Sequence, residues 1–138
     1  MKKRALILCT GNSCRSQMAE GILRHYAGDK FEVFSAGLAP SRVNPTAIEV
    51  MKEIGIDISN QRSKHVDEFK GQDFDYVITV CDNAKEACPL FNRASQKIHW
   101  SFPDPFCAPA NERVNEFRKI RDMIQEKFKQ WAETVVLE

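Results

Sequence analysis

Ala5-Leu6-Ile7-Leu8-Cys9-Thr10-Gly11-Asn12-Ser13-Cys14-Arg15-Ser16 is the stretch that decides the fold. Ala5 to Leu8 are consecutive apolar residues, the pattern of a strand covered on both faces of a sheet. From Ser16 the apolar positions are Met18, Ala19, Ile22, Leu23 and Tyr26, which is helical spacing, and Gly28 follows as a stop signal. Between strand and helix lies a loop at a helix N-terminus, where backbone N–H groups are unpaired and the dipole favours negative charge. Gly11 and Asn12 suit a tight loop because both tolerate positive φ. The N–H groups of Thr10, Gly11, Asn12, Ser13, Cys14 and Arg15 can therefore ring a tetrahedral oxyanion, and the Arg15 guanidinium can pair with two of its oxygens. Cys9 stands behind the bound central atom, placed for in-line attack. This setting is expected to make it a thiolate near neutral pH.

Outward from this segment, Phe31-Glu32-Val33-Phe34 reads as a second strand. Asn44 caps a helix that has Pro45 at its first position, Ala47, Val50, Met51 and Ile54 on its inner face, and Gly55 at its end. Tyr76-Val77-Ile78-Thr79-Val80 is a third strand and Lys97-Ile98-His99-Trp100 a short fourth. A last helix begins near Asn111, with an apolar stripe of Val114, Phe117, Ile120, Ile124, Phe128, Trp131 and Val135. The alternation of strands and helices predicts an α/β fold: a single domain over residues 1–138, with a mainly parallel four-stranded sheet flanked by helices. Ligands of such sheets bind at the C-terminal ends of the strands. The loops after Leu8, Val80 and Trp100 should meet there. Residues Ser59 to Gly71 carry no assigned element.

Composition narrows the function. Twenty Lys and Arg against nineteen Asp and Glu give a net charge of +1, with no basic run beyond Lys2-Lys3-Arg4, so nucleic acid is not an expected partner. No apolar stretch reaches spanning length and the N-terminus lacks a secretory apolar region, so no membrane is expected and the location is read as cytoplasmic. Five cysteines, an odd number in a reducing compartment, argue against a disulfide framework and leave catalysis, redox exchange or metal binding.

Two further features bear on chemistry. Asp104 lies between Pro103 and Pro105, which stiffen the backbone around its carboxyl. Displacement at an oxyanion centre needs a proton for the departing oxygen, and a positioned carboxylic acid can supply it. Cys81 and Cys88 follow the third strand, separated by the polar run Asp82-Asn83-Ala84-Lys85-Glu86-Ala87. One reading makes them a relay, in which Cys81 attacks an adduct on Cys9 and Cys88 resolves the resulting disulfide. The other makes them two unrelated core thiols. Half of a zinc site fits poorly, since neither the Cys9–Cys14 nor the Cys81–Cys88 spacing matches Cys-x2-Cys, and no metal site is expected. Cys14, inside the anion loop beside Arg15, has two readings, packing beneath the loop or backing up Cys9, of which packing is favoured. Cys107 has no assigned role, and His25, His65 and His99 show neither triad nor metal spacing.

These residues resemble the thioredoxin-coupled arsenate reductases, which share their fold with low-molecular-weight protein tyrosine phosphatases. Cys9 to Ser16 followed by Gln17-Met18-Ala19-Glu20-Gly21, then Ser35-Ala36-Gly37, Val43-Asn44-Pro45, Gly55-Ile56-Asp57-Ile58-Ser59, Cys81 with Cys88, His99-Trp100 and Asp104-Pro105 carry the resemblance over nearly the whole chain. The anion loop is common to both groups, whereas the Cys81 and Cys88 pair is similar only to the reductases. Phe106-Cys107 also lacks the tyrosines usual after Asp-Pro in the phosphatases. The resemblance implies that arsenate, with phosphate or sulfate as analogues, sits in the loop, that Cys9 attacks arsenic, and that Asp104 protonates the departing oxygen. It gives Ser16 a hydrogen bond to the Cys9 thiolate and Asn12 a part in holding the loop's shape. It implies a Cys9–Cys81 and then a Cys81–Cys88 disulfide, the latter reduced by thioredoxin, with no bound cofactor and a monomeric enzyme. Some members of that family bind potassium through residues matching Asn12, Glu20 and Ser35 and an aspartate aligned with Lys64. A lysine there predicts no potassium requirement. A phosphatase for phosphate monoesters and an oxyanion or redox sensor are the competing readings.

Overall fold

The computed structural model describes residues 2–81 and 96–135. Its strands are β1 (Lys3–Cys9), β2 (Phe31–Gly37), β3 (Tyr76–Thr79) and β4 (Gln96–His99). Its α-helices are α1 (Arg15–Ala27), α2 (Pro45–Lys52) and α3 (Arg113–Thr134). The strands form one sheet in the order β2-β1-β3-β4, and every pairing is parallel. All four C-terminal ends therefore lie along one edge. Cys9 pairs with Gly37, while Thr79 pairs with His99 and hands the chain on to Val80 and Cys81.

The sheet is apolar on both faces, as the unbroken run Ala5 to Leu8 requires. On one face α1 and α3 pack together, and an aromatic seam joins sheet to helix. The Phe31 and Trp131 rings stack with centroids 5.2 Å apart, Tyr76 meets Trp131 edge-on at 5.1 Å, and Trp100 meets Phe128 at 5.2 Å. On the other face Phe34 contacts Phe69 and Phe74, with the Arg4 guanidinium over the Phe34 and Phe74 rings. Among the described residues no helix is long and apolar enough to cross a membrane.

The elements differ from the sequence expectations mainly at their ends. α2 has its predicted Asn44 cap, whose side chain accepts from the Thr46 N–H at 2.8 Å. The helix stops at Lys52, leaving Ile54 half-buried in the following turn, where Gly55 takes φ +80°. A 3-10 turn at Ala110–Glu112 precedes α3, so Val114 falls in the helix's first turn and is exposed, contrary to its expected place in the apolar stripe. The buried positions are Phe117, Ile120, Ile124, Phe128 and Ala132, with Trp131 half-buried beside them. Residues 59–71 hold a 3-10 turn at Val66–Phe69 and a single bridge from His65 to Gly37.

Candidate active site

The loop from Thr10 to Cys14 is held by its carbonyls. The Thr10 carbonyl accepts from the Ala39 N–H at 2.9 Å, Gly11 from Ser41 at 3.2 Å, Ser13 from Asn44 at 3.0 Å and Cys14 from Met18 at 2.9 Å. The Gly11 carbonyl also accepts from the Ser63 hydroxyl at 3.1 Å, and the Asn12 carbonyl accepts from Gln17 Nε2 at 3.1 Å. Every carbonyl of the loop is thus tied to a group outside it, whereas none of the N–H groups of Gly11 through Cys14 donates to another described residue. Tethering the oxygens outward leaves the donors for a ligand. α1 begins with no side-chain cap and no acidic residue in its first turn. Most helix N-termini are satisfied by Ser, Thr, Asp or Asn. An uncapped one beside a ring of unpaired N–H groups is suited to an external anion.

Asn12 is the keystone of the loop. It is fully buried and takes φ +47°, a conformation its short polar side chain tolerates. Its Nδ2 donates to Ser16 Oγ at 2.8 Å and Ser35 Oγ at 2.9 Å, and its Oδ1 accepts from Gln17 Nε2 at 3.0 Å and the Lys64 N–H at 2.8 Å. Ser35 donates in turn to Glu20 Oε1, which lies 3.7 Å from Lys64 Nζ, and that ammonium donates to the Arg62 carbonyl at 2.7 Å. Lys64 therefore grips Asn12 twice, through its backbone N–H and through the Glu20–Ser35 chain. Burial lowers the Lys64 pKa, and the Glu20 carboxylate acts the other way. Ser16, for which the resemblance implied a bond to the Cys9 thiolate, here accepts from Asn12.

Of the three loops expected to converge, those after Leu8 and Trp100 meet in one cleft, and the third is described only at Cys81, which lies against Thr10. Cys9, Thr10, Gly11, Ser13, Cys14, Arg15, Ser41, Asp104 and Phe106 line one cleft of about 270 Å3. Arg15 Nη1 donates to the Phe102 carbonyl at 3.0 Å, which ties the anion loop to the segment carrying Asp104. Asp104 Oδ1 accepts from the Phe106 N–H at 2.9 Å, capping the Pro105–Cys107 turn, and the carboxyl faces the cleft. Cys81 comes in from the β3 end. Its Sγ lies 3.3 Å from the Oγ1 of Thr10, the residue that follows Cys9. Cys88 lies outside the described residues.

The sequence expectation of a Cys9 thiolate did not include the influence of Cys81. Its pKa is raised, chiefly by the neighbouring Cys81 thiol and then by burial, while the Arg15 guanidinium and the Thr10 N–H act in the opposite direction. Two neighbouring thiols lose their protons in two steps, and the second is held by the charge left by the first. Cys14 is 7% exposed and lines the cleft with Cys9, and burial pushes its thiol up to about 11. Cys107 is exposed, and His65 uses its Nδ1 to accept from the Asp67 N–H.

Several contributors were not visible in the sequence reading. Gly37 lies directly under the loop: a Cβ there would come 2.5 Å from the Thr10 carbonyl oxygen and 2.8 Å from the Asn12 nitrogen. A glycine closing a buried strand was the available signal. The Thr10 hydroxyl, the Phe102 carbonyl, Gln17, Ser63 and the Lys64–Glu20 pair had none, because each acts through a partner remote in sequence.

Known proteins place this geometry. Residues 4–138 match the family described as low molecular weight phosphotyrosine protein phosphatase. An arsenate reductase of Halalkalibacterium halodurans is 47% identical over 135 residues, covering 96% of this chain and 97% of that protein. One of Bacillus subtilis is 45% identical over 129 residues, covering 92% and 93%. A solved arsenate reductase in its phosphate-binding state superposes with a TM-score of 0.85 at 35% identity, covering 99% of this chain and 100% of that one. The chain belongs to the low molecular weight phosphotyrosine protein phosphatase family and, within it, to the arsenate reductases.

Proposed function

We propose that this chain reduces arsenate to arsenite, with Cys9, Cys81 and Cys88 passing electrons in sequence and thioredoxin restoring the dithiol. Arsenate enters the ring of N–H groups and is held by Arg15, which gives up its bond to the Phe102 carbonyl for charge-assisted bonds to the anion. Cys9 Sγ attacks arsenic, and Asp104 passes a proton to the departing oxygen, which leaves as water. Cys81 Sγ then attacks Cys9 Sγ. The sulfur–arsenic bond breaks with its electron pair left on arsenic, taking it from As(V) to As(III), and arsenite departs. Cys88 attacks Cys81 and frees Cys9, and thioredoxin reduces the Cys81–Cys88 disulfide. No bound cofactor takes part, and the need for reduced thiols at rest agrees with a cytoplasmic setting.

The observation that carries this reading is the buried Cys81 thiol at the edge of the anion cradle, 3.3 Å from the hydroxyl of Thr10, the residue after Cys9. Ester hydrolysis has no use for a second thiol there, whereas the first disulfide of a relay needs one. Thr10 Oγ1 can donate to Cys81 as a thiolate and aim it at Cys9. Slow hydrolysis of aryl phosphates is the second reading, favoured by Phe106, which is 46% exposed and lines the same cleft.

The resemblance implies a potassium ion near Asn12, Glu20 and Ser35 in some relatives. The residues here do not fit one, because the Lys64 ammonium already neutralises Glu20 at 3.7 Å. The deciding experiment measures arsenite formed with thioredoxin, thioredoxin reductase and NADPH, for wild type and Cys88→Ser. Multiple turnovers by wild type and none by the variant are expected. Equal rates for the two, or ester hydrolysis alone, would overturn the relay.

A further inference from the structure

We propose that Arg113 is a positioning residue for Asp104: its guanidinium clamps the turn that carries this carboxyl and so holds the carboxyl at the cleft. The clamp grips the turn at two points. Arg113 Cζ lies over the Phe106 ring, 5.2 Å from its centroid, and Arg113 Nη2 donates to the Ala108 carbonyl at 3.4 Å. The Phe106 ring also meets the buried Phe117 ring edge-on at 5.6 Å, which ties the turn to α3. The Phe106 N–H, at 2.9 Å, is the one hydrogen-bond donor to the Asp104 carboxyl among the described residues. Asp104 is otherwise exposed at the cleft, so whatever fixes Phe106 fixes the carboxyl.

Arg113 is a poor choice for its place in the helix on local grounds. It is the first residue of α3, where the dipole disfavours a cation, and no side chain caps that end. Its Nε is buried and has no hydrogen-bond partner among the described residues, a further cost. A residue that breaks two local rules is expected where a site needs it, and here the return is the contact with Phe106. A cation over one face of the ring attracts it and leaves Phe106 lining the cleft. The clamp matters most when the anion enters. At rest Arg15 Nη1 holds the Phe102 carbonyl, two residues before Asp104, at 3.0 Å. In the proposed function, on which the positioning role rests, Arg15 gives up that carbonyl as Asp104 must deliver its proton. The turn then depends more on its α3 side. A proton donor works only within hydrogen-bond reach of the departing oxygen, so a small drift of the turn is felt in the rate.

The test measures single-turnover arsenite formation and sulfate affinity by calorimetry in full-length protein. Wild type is compared with Arg113→Ala, Arg113→Lys, Asp104→Asn and the double variant Asp104→Asn/Arg113→Ala. Arg113→Ala should be about tenfold slower with sulfate affinity unchanged, because the anion loop and Arg15 are untouched. Arg113→Lys keeps the charge and a donor and should recover part of the rate. In the Asp104→Asn background, Arg113→Ala should cost nothing further. An equal loss in both backgrounds, a parallel loss of sulfate affinity, or no loss at all would overturn the positioning role. Phe106→Leu removes the clamped ring and should repeat the pattern, which keeps the test open if Arg113→Ala fails to fold. The clamp is also read without turnover. In wild type the Phe106 amide proton resonance should follow the titration of the Asp104 carboxyl, and that response should shrink in Arg113→Ala; an undiminished response overturns the clamp. A protein that forms no arsenite yet shows this amide change removes the reductase reading and leaves the clamp standing. An Asp104→Asn rate equal to wild type leaves arsenate reduction standing and overturns the positioning role.

Discussion

Replacing Gly37 with alanine separates the shape of the anion cradle from its chemistry. Gly37 ends β2, pairs with Cys9 across the sheet and donates its N–H to the Lys64 carbonyl at 2.8 Å, so it cannot retreat without breaking both ladders. Its φ is not positive, so alanine suits the backbone itself and the effect is one of space. The added Cβ would lie 2.5 Å from the Thr10 oxygen, where ordinary contact begins at 3.4 Å, and the loop would have to yield by about 0.9 Å. Overpacking of this kind costs about 1–3 kcal/mol. A misplacement near 1 Å of groups that orient a reactant costs about 10²-fold in rate. We therefore expect the Gly37→Ala variant to unfold at lower urea by that margin, to bind sulfate at least tenfold more weakly by calorimetry, and to lose about 10²-fold in kcat/KM for arsenate. Gly55→Ala is the control. Gly55 has φ +80° and nothing within 4 Å of an added Cβ. It should lose about 1 kcal/mol through backbone strain and keep its sulfate affinity. Wild-type sulfate affinity in a destabilised Gly37→Ala variant would refute the claim that close approach of this backbone shapes the cradle.

Other perturbations address the sulfurs and the buried lysine. Cys81→Ala removes the largest influence raising the Cys9 pKa, so the pH profile of Cys9 alkylation by iodoacetamide should move to lower pH; an upward move would contradict the assignment. Thr10→Val keeps the side-chain shape and removes the hydroxyl beside Cys81. A hydrogen bond to a charged group is worth about 1.5–3 kcal/mol, so single-turnover release of arsenite should slow about 10- to 100-fold while arsenate binding is unchanged. Potassium titration at constant ionic strength should leave wild-type activity flat, whereas a saturable rise specific to that ion would show that Lys64 has not displaced it. Lys64→Met leaves the Glu20 carboxylate with Arg24 as its remaining ion-pair partner, and should lower both stability and sulfate affinity through Ser35 and Asn12.

What could be read from the sequence was whatever is local in it. The strand, loop and helix around Cys9 follow from an apolar run, two residues tolerant of positive φ and a helical stripe, all within one segment. The meeting of Cys9 with Asp104 and the approach of Cys81 to Thr10 were also accessible, because parallel strands bring their C-terminal ends to one edge whatever the details. Val114 was misplaced because periodicity gives the face of a helix but not where the neighbouring sheet ends. The tethering of the loop carbonyls by Ala39, Ser41 and Asn44 left no trace in the sequence, since a backbone N–H donates the same bond from any residue but proline. Gly37 and Lys64 act on the loop from across the fold, through a missing Cβ and through a chain of polar groups.

The sequence reading of Cys9 ionisation left out one influence that bears on mechanism. A loop of N–H groups and an arginine lower a thiol's pKa, and that much follows from the residues alone. Opposing them is a second thiol, brought by a strand that follows β1 in space but lies far from it in sequence. At Cys9 the influence of this second sulfur thus opposes that of the loop and the arginine. An entering oxyanion brings its own negative charge into the cradle, which disfavours a second charge on Cys81 until Cys9 is esterified and neutral. In the proposed relay, esterification of Cys9 removes the charge that competes with Cys81 and leaves that sulfur to ionise beside Thr10. The proposed order of attacks, Cys9 on arsenic and then Cys81 on Cys9, would follow from the electrostatics of two neighbouring thiols.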